Sequence, residues 1–368
     1  MPITRIELTH YRNYLKWSTH PDPALTILVG PNAAGKTNVI EAVQLLTAGR
    51  SFRSPRWSDL VQWGHESGSA AIELERDESV ARIEMTVTAE GNRSYAINGK
   101  TTRRVADATR VLPCVTFTPD DLSLSKGPSE NRRVAIDDLG EQLSRTFGSL
   151  RRDYMKAVRQ RNRALRDGES QVTIDALAEQ IASLGARLVV HRRRLLARVE
   201  DHAAAIYARL SGGETLSFRY ADRCGLGGTS HREEISAEAA TACLLGEFER
   251  RSDDERSRKI TLAGPHRDDV VFLVDGNDAR AFASQGQQRT IALAWKWAEV
   301  RVIEAVAHRK PVLLLDDVMS ELDEERRAAL TGLVQEDIQT FITTTNTGYF
   351  DPGLLSDAGI VTIDSREA

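Results

Sequence analysis

Gly30-Pro31-Asn32-Ala33-Ala34-Gly35-Lys36-Thr37 stands between an uninterrupted apolar run, Leu25 to Val29, and a stretch with Val39, Val43 and Leu46 at i, i+4 and i+7 that stops before Gly49. That spacing predicts a strand, a loop and a helix, in that order. The glycines allow the loop to curl so that successive backbone N–H groups face inward as an anion nest, and the dipole of the following helix adds partial positive charge at the same point. The stretch therefore reads as a phosphate-binding loop, with Gly30, Pro31, Asn32, Ala33, Ala34 and Gly35 as the cradle. Lys36 would reach the β- and γ-phosphates and act in catalysis, and Thr37 would ligate Mg2+. An ordinary glycine-rich turn is the alternative, and the strand and helix on either side argue against it.

A phosphate loop of this kind needs an acidic strand beside it. Val312-Leu313-Leu314-Leu315-Asp316-Asp317 supplies one, and its unbroken apolar run predicts a central parallel strand. Asp316 is placed to hold Mg2+ and Asp317 to polarise an attacking water, which makes both candidate catalytic residues. Asp316 lies 286 residues after Gly30. In simple nucleotide-binding folds the two motifs sit close together, so a large insertion separates them here.

The chain of 368 residues, 41% hydrophobic and 28% charged, is long enough for two domains or one core with an insertion. Its longest apolar run is too short to span a bilayer, and the opening MPITRIELTH lacks an export leader, so a soluble cytoplasmic protein with no membrane partner is expected. Cys114, Cys224 and Cys243 have neither zinc-site nor disulfide-framework spacing and read as reduced thiols. No Ser/His/Asp set and no metal-ligand cluster is visible.

Outward from the loop, residues 3–8 predict a strand. Residues 70–118 alternate apolar and polar with Asn98-Gly99 as a turn, predicting an antiparallel meander. From Ser129 the pattern turns helical, with a hairpin of residues 145–167 and 173–210 joined by Asp167-Gly168-Glu169-Ser170; the second arm would be about 55 Å long. Strands are expected at 215–220, 270–274 and 340–344, and helices at 290–305 and 324–335.

The net charge of −4 conceals a split. Residues 145–198 hold thirteen Lys or Arg against five acids, leaving the rest of the chain at −12. Arg152, Lys156, Arg159, Arg163 and Arg166, spaced 4, 3, 4 and 3, fall on one helix face about 20 Å long, with Tyr154, Val158 and Leu165 opposite. Lacking neighbouring acids, this stripe, with Arg192–Arg194 on the partner helix, is a candidate floor for DNA; a solvated helix face is the alternative. No groove-reading motif is present, so contact would be sequence-independent.

Ahead of the acidic strand stands Ser284-Gln285-Gly286-Gln287-Gln288-Arg289, opening a mostly apolar helix: a serine cap, a glycine for close approach and a fresh helix dipole make a second anion site. In this order the chain resembles the ABC-type ATPases of the SMC and RecF group, whose Ser-x-Gly-Gln signature binds the γ-phosphate of ATP held by the opposite subunit. The resemblance implies ATP and Mg2+ as cofactors, Ser284, Gly286 and Gln287 as nucleotide-binding residues in trans, an ATP-dependent homodimer, and Ser320 and Asp323 of the Ser320-Glu321-Leu322-Asp323 loop at its interface. LTHYRNY (8–14), AINGK (96–100), TPDDL (118–122), GPHRDD (264–269) and FASQGQQR (282–289) carry it to the RecF branch over nearly the whole chain. That branch comprises bacterial recombination mediators that bind double-stranded and gapped DNA, associate with RecR and help load RecA in repair, replication restart and the SOS response.

The implied fold is α/β, an ABC-type P-loop ATPase head with a mixed sheet, flanking helices and an antiparallel β-subdomain, carrying an inserted helical arm. The segments would be 1–125 for the N-terminal part of the ATPase, 126–259 for the arm and 260–368 for the signature, acidic strand and interface loop. An SMC-type chromosome organiser is the alternative, but it would need hundreds of residues of heptad coil between the motif halves. Asp317, where many such ATPases place Glu, and a switch strand ending Thr343-Thr344-Thr345-Asn346 without histidine both imply a weak ATPase that acts as a timer, and the resemblance implies that DNA stimulates it. Trp295 and Trp297 read as core. His266 and Arg267 are divided between a hydrogen-bonded turn and a nucleotide or interface role, and Asn32 and the Asp120-Asp121 pair beyond the loop have no further derivable role.

Overall fold

The computed structural model describes residues 1–53, 56–76, 79–102, 111–226, 230–334 and 337–364. In chain order the elements are β1 (Ile3–Tyr11), β2 (Tyr14–Thr19), β3 (Leu25–Val29), α1 (Lys36–Ala48), β4 (Ser67–Arg76), β5 (Ser79–Thr88), β6 (Arg93–Ile97), β7 (Lys100–Thr101) and β8 (Cys114–Phe117). The chain continues through α2 (Ser129–Leu143), α3 (Arg145–Asp167), α4 (Gln171–Ser211), β9 (Leu216–Ala221), α5 (Ala237–Arg250), α6 (Ser252–Arg258), β10 (Asp269–Val274) and β11 (Asn277–Asp278). It closes with α7 (Ala279–Phe282), α8 (Gln285–Ala307), β12 (Val312–Asp316), α9 (Glu324–Val334), β13 (Thr340–Thr344), α10 (Pro352–Asp357) and β14 (Gly359–Thr362).

Two compact units result, Met1–Asp121 with Ile303–Ala368, and Leu122–Val302. The second runs past residue 260, where the sequence suggests a return to the ATPase, because β10 pairs with β9 along six residues from Asp269↔Ala221 to Val274↔Leu216.

The first unit holds two sheets. One is antiparallel, in the order β2-β1-β4-β5-β6-β7, and the other is wholly parallel, in the order β14-β3-β13-β12-β8. Helix α1 packs on both, which is why so little of it is exposed: Val39, Ile40, Val43, Leu45 and Leu46 are all buried, in one core with Ile6, Leu8, Ile72, Ile83, Leu314 and Phe341. Its end is set by Gly49 in the left-handed conformation. Among the described residues the expected meander runs as far as β7, and residues 103–110 lie outside them. Residues 114–117 leave it and pair in parallel with β12, all four side chains buried, as a two-sided strand requires. β2, for which the sequence pattern gives no signal, pairs back on β1 from Tyr11↔Tyr14 to Ile6↔Thr19.

In the second unit α3 and α4 form the expected hairpin. Gly168 caps α3 in the left-handed conformation, and the Ser170 hydroxyl caps α4 by accepting from Thr173 N at 3.2 Å. Trp295 and Trp297 are core residues, Trp295 meeting Phe272 edge-on and donating from Nε1 to Glu299 at 2.6 Å. Among the described residues no helix is long and apolar enough to cross a membrane.

Candidate functional site

The loop between β3 and α1 is built against a wall of backbone. A Cβ added to Gly30 would lie 2.3 Å from the Ile363 carbonyl oxygen. Gly35 has φ +111°, and a Cβ there would meet Asn13 Nδ2 at 2.6 Å and the Tyr14 hydroxyl at 2.7 Å, so only glycine fits. Ala33 also takes a positive φ, of 65°, completing the curl of the nest. Asn13, outside the motif, fastens the loop: its Nδ2 donates to Ala34 O at 3.1 Å and its Oδ1 accepts from Asn38 at 2.6 Å. Next to it Arg12 grips the fully buried Glu41 with two bonds of 2.9 and 2.8 Å.

Lys36 is buried, and its ammonium donates to the carbonyls of Gly30 and Pro31 at 2.7 and 2.8 Å, which spans the loop with a positive charge. Burial pulls its pKa below the usual lysine range, against the opposing pull of Asp317 and Asp316. One strand intervenes between β3 and β12, and the acidic end of β12 arrives beside the loop. Thr37 Oγ1 donates to Asp316 Oδ1 at 2.8 Å, and Thr343 Oγ1, from β13, donates to the same oxygen at 2.9 Å. Burial raises the Asp316 pKa despite these two bonds.

Asp317 differs from its neighbour. Its backbone is left-handed, φ 53°, and its N–H donates to Thr343 Oγ1 at 2.9 Å. Its carboxyl is raised by burial first, then lowered by Lys36 and raised by Asp316 and Glu321, and its buried Oδ1 has no hydrogen-bond partner among the described residues. A buried acceptor without a donor costs about 1–3 kcal/mol, so the position suits an incoming water or cation shell. Mg2+ fits these residues: Thr37 and Asp316 already share a contact that a hard, oxygen-seeking cation could replace, with an unsatisfied carboxylate oxygen alongside. Two residues of this site, Asn13 and Thr343, do not stand out in the sequence. Asn13 is one letter of the LTHYRNY stretch, and Thr343 is conspicuous there only for not being histidine.

Beyond β12, Ser320 Oγ donates to Asp317 O at 2.9 Å, and Asp323 caps α9 by accepting from Arg326 N at 3.0 Å. Both are exposed.

In the second unit Ser284 precedes α8 and forms a reciprocal capping box. Gln287 N–H donates to Ser284 Oγ at 3.2 Å, and Ser284 N–H donates to Gln287 Oε1 at 2.8 Å. Gly286 lies in the first turn, where backbone N–H groups have no partner within the helix.

The stripe Arg152, Lys156, Arg159, Arg163 and Arg166 is exposed along α3, with Tyr154, Val158 and Leu165 buried on its other side. One acid does pair with it, Asp167, at 3.4 Å from Arg163. The stripe does not extend to Arg192–Arg194 as the sequence suggests. Arg192 is buried and bidentate to Asp137 at 2.7 Å, and Arg193 is buried with its guanidinium on the Ser230 carbonyl; Arg194 alone of the three is exposed. Consecutive helical residues point about 100° apart, so three in a row cannot share a face. The GPHRDD segment is a locked turn. Tyr154 OH lies 2.6 Å from His266 Nδ1 and His266 Nε2 lies 3.2 Å from Thr261 O, which makes Nε2 the protonated nitrogen and Tyr154 the donor. Burial pulls His266 down to about 4, so the ring is neutral.

Phosphate loop and acidic strand, in contact at Thr37 and Asp316 on a frame of one antiparallel and one parallel sheet, define the class: the chain is an ABC-type P-loop ATPase head. It belongs to the RecF family. The RecF/RecN/SMC N terminal domain family matches residues 2–360. A DNA replication and repair protein RecF from a Synechococcus strain is 38% identical over all of this chain and 97% of its own length, and that of Gloeobacter violaceus is 37% identical over 99% and 97%. A solved structure of the recombination mediator protein RecF superimposes with a TM-score of 0.90 at 28% identity over 99% of this chain and 97% of that one. A Pyrococcus furiosus Smc head, at 18% identity and TM-score 0.57 over 100% of this chain and 94% of that one, shares the fold.

Proposed function

We propose that this chain is an ATP-gated recombination mediator in DNA repair. ATP lies on the 30–37 loop, with Lys36 on its terminal phosphates and Thr37 and Asp316 holding Mg2+. The metal neutralises phosphate charge when bound. Asp317 orients the attacking water with its free Oδ1. A second copy lends Ser284, Gly286 and Gln287 to the γ-phosphate, Ser320 and Asp323 lie at the joint, and nucleotide thereby joins two protomers head to tail. The dimer contacts duplex or gapped DNA without sequence preference through Arg152, Lys156, Arg159, Arg163 and Arg166, works with RecR, and helps load RecA at single-strand gaps in repair, replication restart and the SOS response.

The observation that carries this reading is the full-length likeness to a solved recombination mediator, RecF-ATP of the RecFOR pathway, 28% identical over 95% of this chain, together with the phosphate loop and acidic strand in contact at Thr37 and Asp316. Sedimentation velocity with and without a non-cleavable ATP analogue tests it. The wild type should shift from monomer to dimer, and Ser284→Arg should keep nucleotide affinity yet stay monomeric. A Ser284→Arg protein that dimerises like the wild type rules out the trans signature.

A further inference from the structure

The signature loop has a partner outside its own helix. Gln287 Nε2 donates to Glu214 Oε1 at 3.0 Å, and the other oxygen of that carboxylate accepts from the Tyr207 hydroxyl at 2.8 Å. Tyr207 is fully buried near the end of α4, and Glu214 lies three residues beyond that helix, after the left-handed Gly212 and Gly213. A carboxylate only accepts, so its position decides which way the Gln287 amide faces. Nε2 turns to Glu214, and Oε1 is thereby left for the Ser284 N–H that it meets at 2.8 Å. Removing the carboxylate frees the amide to rotate or leave, and the capping box loses one of its two bonds.

We infer that Glu214 is a positioning residue for the phosphate contact made in trans. It fixes the Gln287 amide, and with it the first turn of α8, and through Tyr207 it ties that turn to α4, whose hairpin partner carries the basic stripe. Glu214 itself need not touch nucleotide. The inference rests on the dimer reading above and adds a connection between the arm and the signature.

The test uses the full-length protein. Glu214→Ala should weaken dimerisation in a non-cleavable ATP analogue about tenfold, the worth of one hydrogen bond to a charged group. The affinity of dilute monomer for a fluorescent ATP analogue should not change, while the thermal midpoint falls modestly because the buried Tyr207 hydroxyl loses its acceptor. Glu214→Gln, which keeps an acceptor, should recover most of the loss, and Tyr207→Phe, which deletes one hydroxyl, should reproduce about a third of it on a logarithmic scale. A Glu214→Ala protein that dimerises normally overturns the inference while leaving the dimer intact, as does one whose monomer loses nucleotide affinity in proportion. A wild type that stays monomeric with the analogue removes the dimer reading itself, and this inference with it.

Discussion

Asp317 occupies a backbone conformation that costs an ordinary L-residue roughly 1 kcal/mol or more. The compensation is local: the turn that strains φ to 53° also brings its N–H to Thr343 and its carboxylate beside Lys36. Thr343 gives one hydroxyl to two acids, accepting from Asp317 N and donating to Asp316 Oδ1. On the proposed reading, a hydroxyl so engaged and an aspartate one methylene shorter than glutamate would position water poorly. Turnover by the purified protein should therefore stay far below tens per second, and Asp317→Asn should abolish it while ATP remains bound. Single-turnover hydrolysis beside an equilibrium binding titration checks both; rapid steady-state turnover without a partner would contradict the assignment. Lys36 and Thr37 are legible because strand, loop and helix are dictated within about twenty residues, and Asp316 and Asp317 because they end an unbroken apolar run. Asn13 and Thr343 are not. Their roles depend on β1 turning back toward the loop and on β13 lying between β3 and β12, and neither pairing leaves a local mark.

Among the elements, α3 has two characters. Its stripe is exposed, whereas Arg161, on the buried side, pairs with the fully buried Glu255 at 2.7 Å and donates to Thr261. Replacing Arg152, Arg159 and Arg163 by Gln should flatten the dependence of DNA affinity on salt by about 0.9 for each phosphate no longer neutralised, with little change in folding. An unchanged slope would move the DNA site elsewhere. Arg192→Ala, by contrast, should destabilise the fold by about 1–3 kcal/mol, since it leaves the buried Asp137 carboxylate to Arg151, at 3.0 Å, and takes the donor from the Pro265 carbonyl. The sequence could show that the arm is basic. It could not show which cations are internal, because their partners, Asp137, Glu255 and the Ser230 carbonyl, lie 37 to 94 residues away along the chain.

The turn that receives α3 titrates in a defined window. His266 is held neutral, with its pKa down to about 4 against an unfolded value of about 6.5. Below 6.5 the unfolded chain binds a proton that the folded one refuses, so stability present above pH 6.5 is lost as the pH falls toward 4, by about 3 kcal/mol in all. Urea midpoints between pH 7 and 4.5 should fall steeply in the wild type, and less so in His266→Gln. Parallel curves would show that other groups govern the acid limb.

On the scale of the whole molecule, the ATPase unit is assembled from the two ends of the chain. The loop strand β3 is flanked by β13 and β14, from Thr340↔Leu25 through Thr362↔Val29, and Ile363 closes over Gly30. Gln339 adds a side-chain tie, exchanging bonds of 2.7 and 2.9 Å with Ile3. Both strands that neighbour the nucleotide motif are translated more than 300 residues after it. Until then the cradle has no walls. A nascent chain would thus carry a silent motif through the synthesis of everything between β3 and β14, and competence to bind nucleotide would arrive only with those late strands.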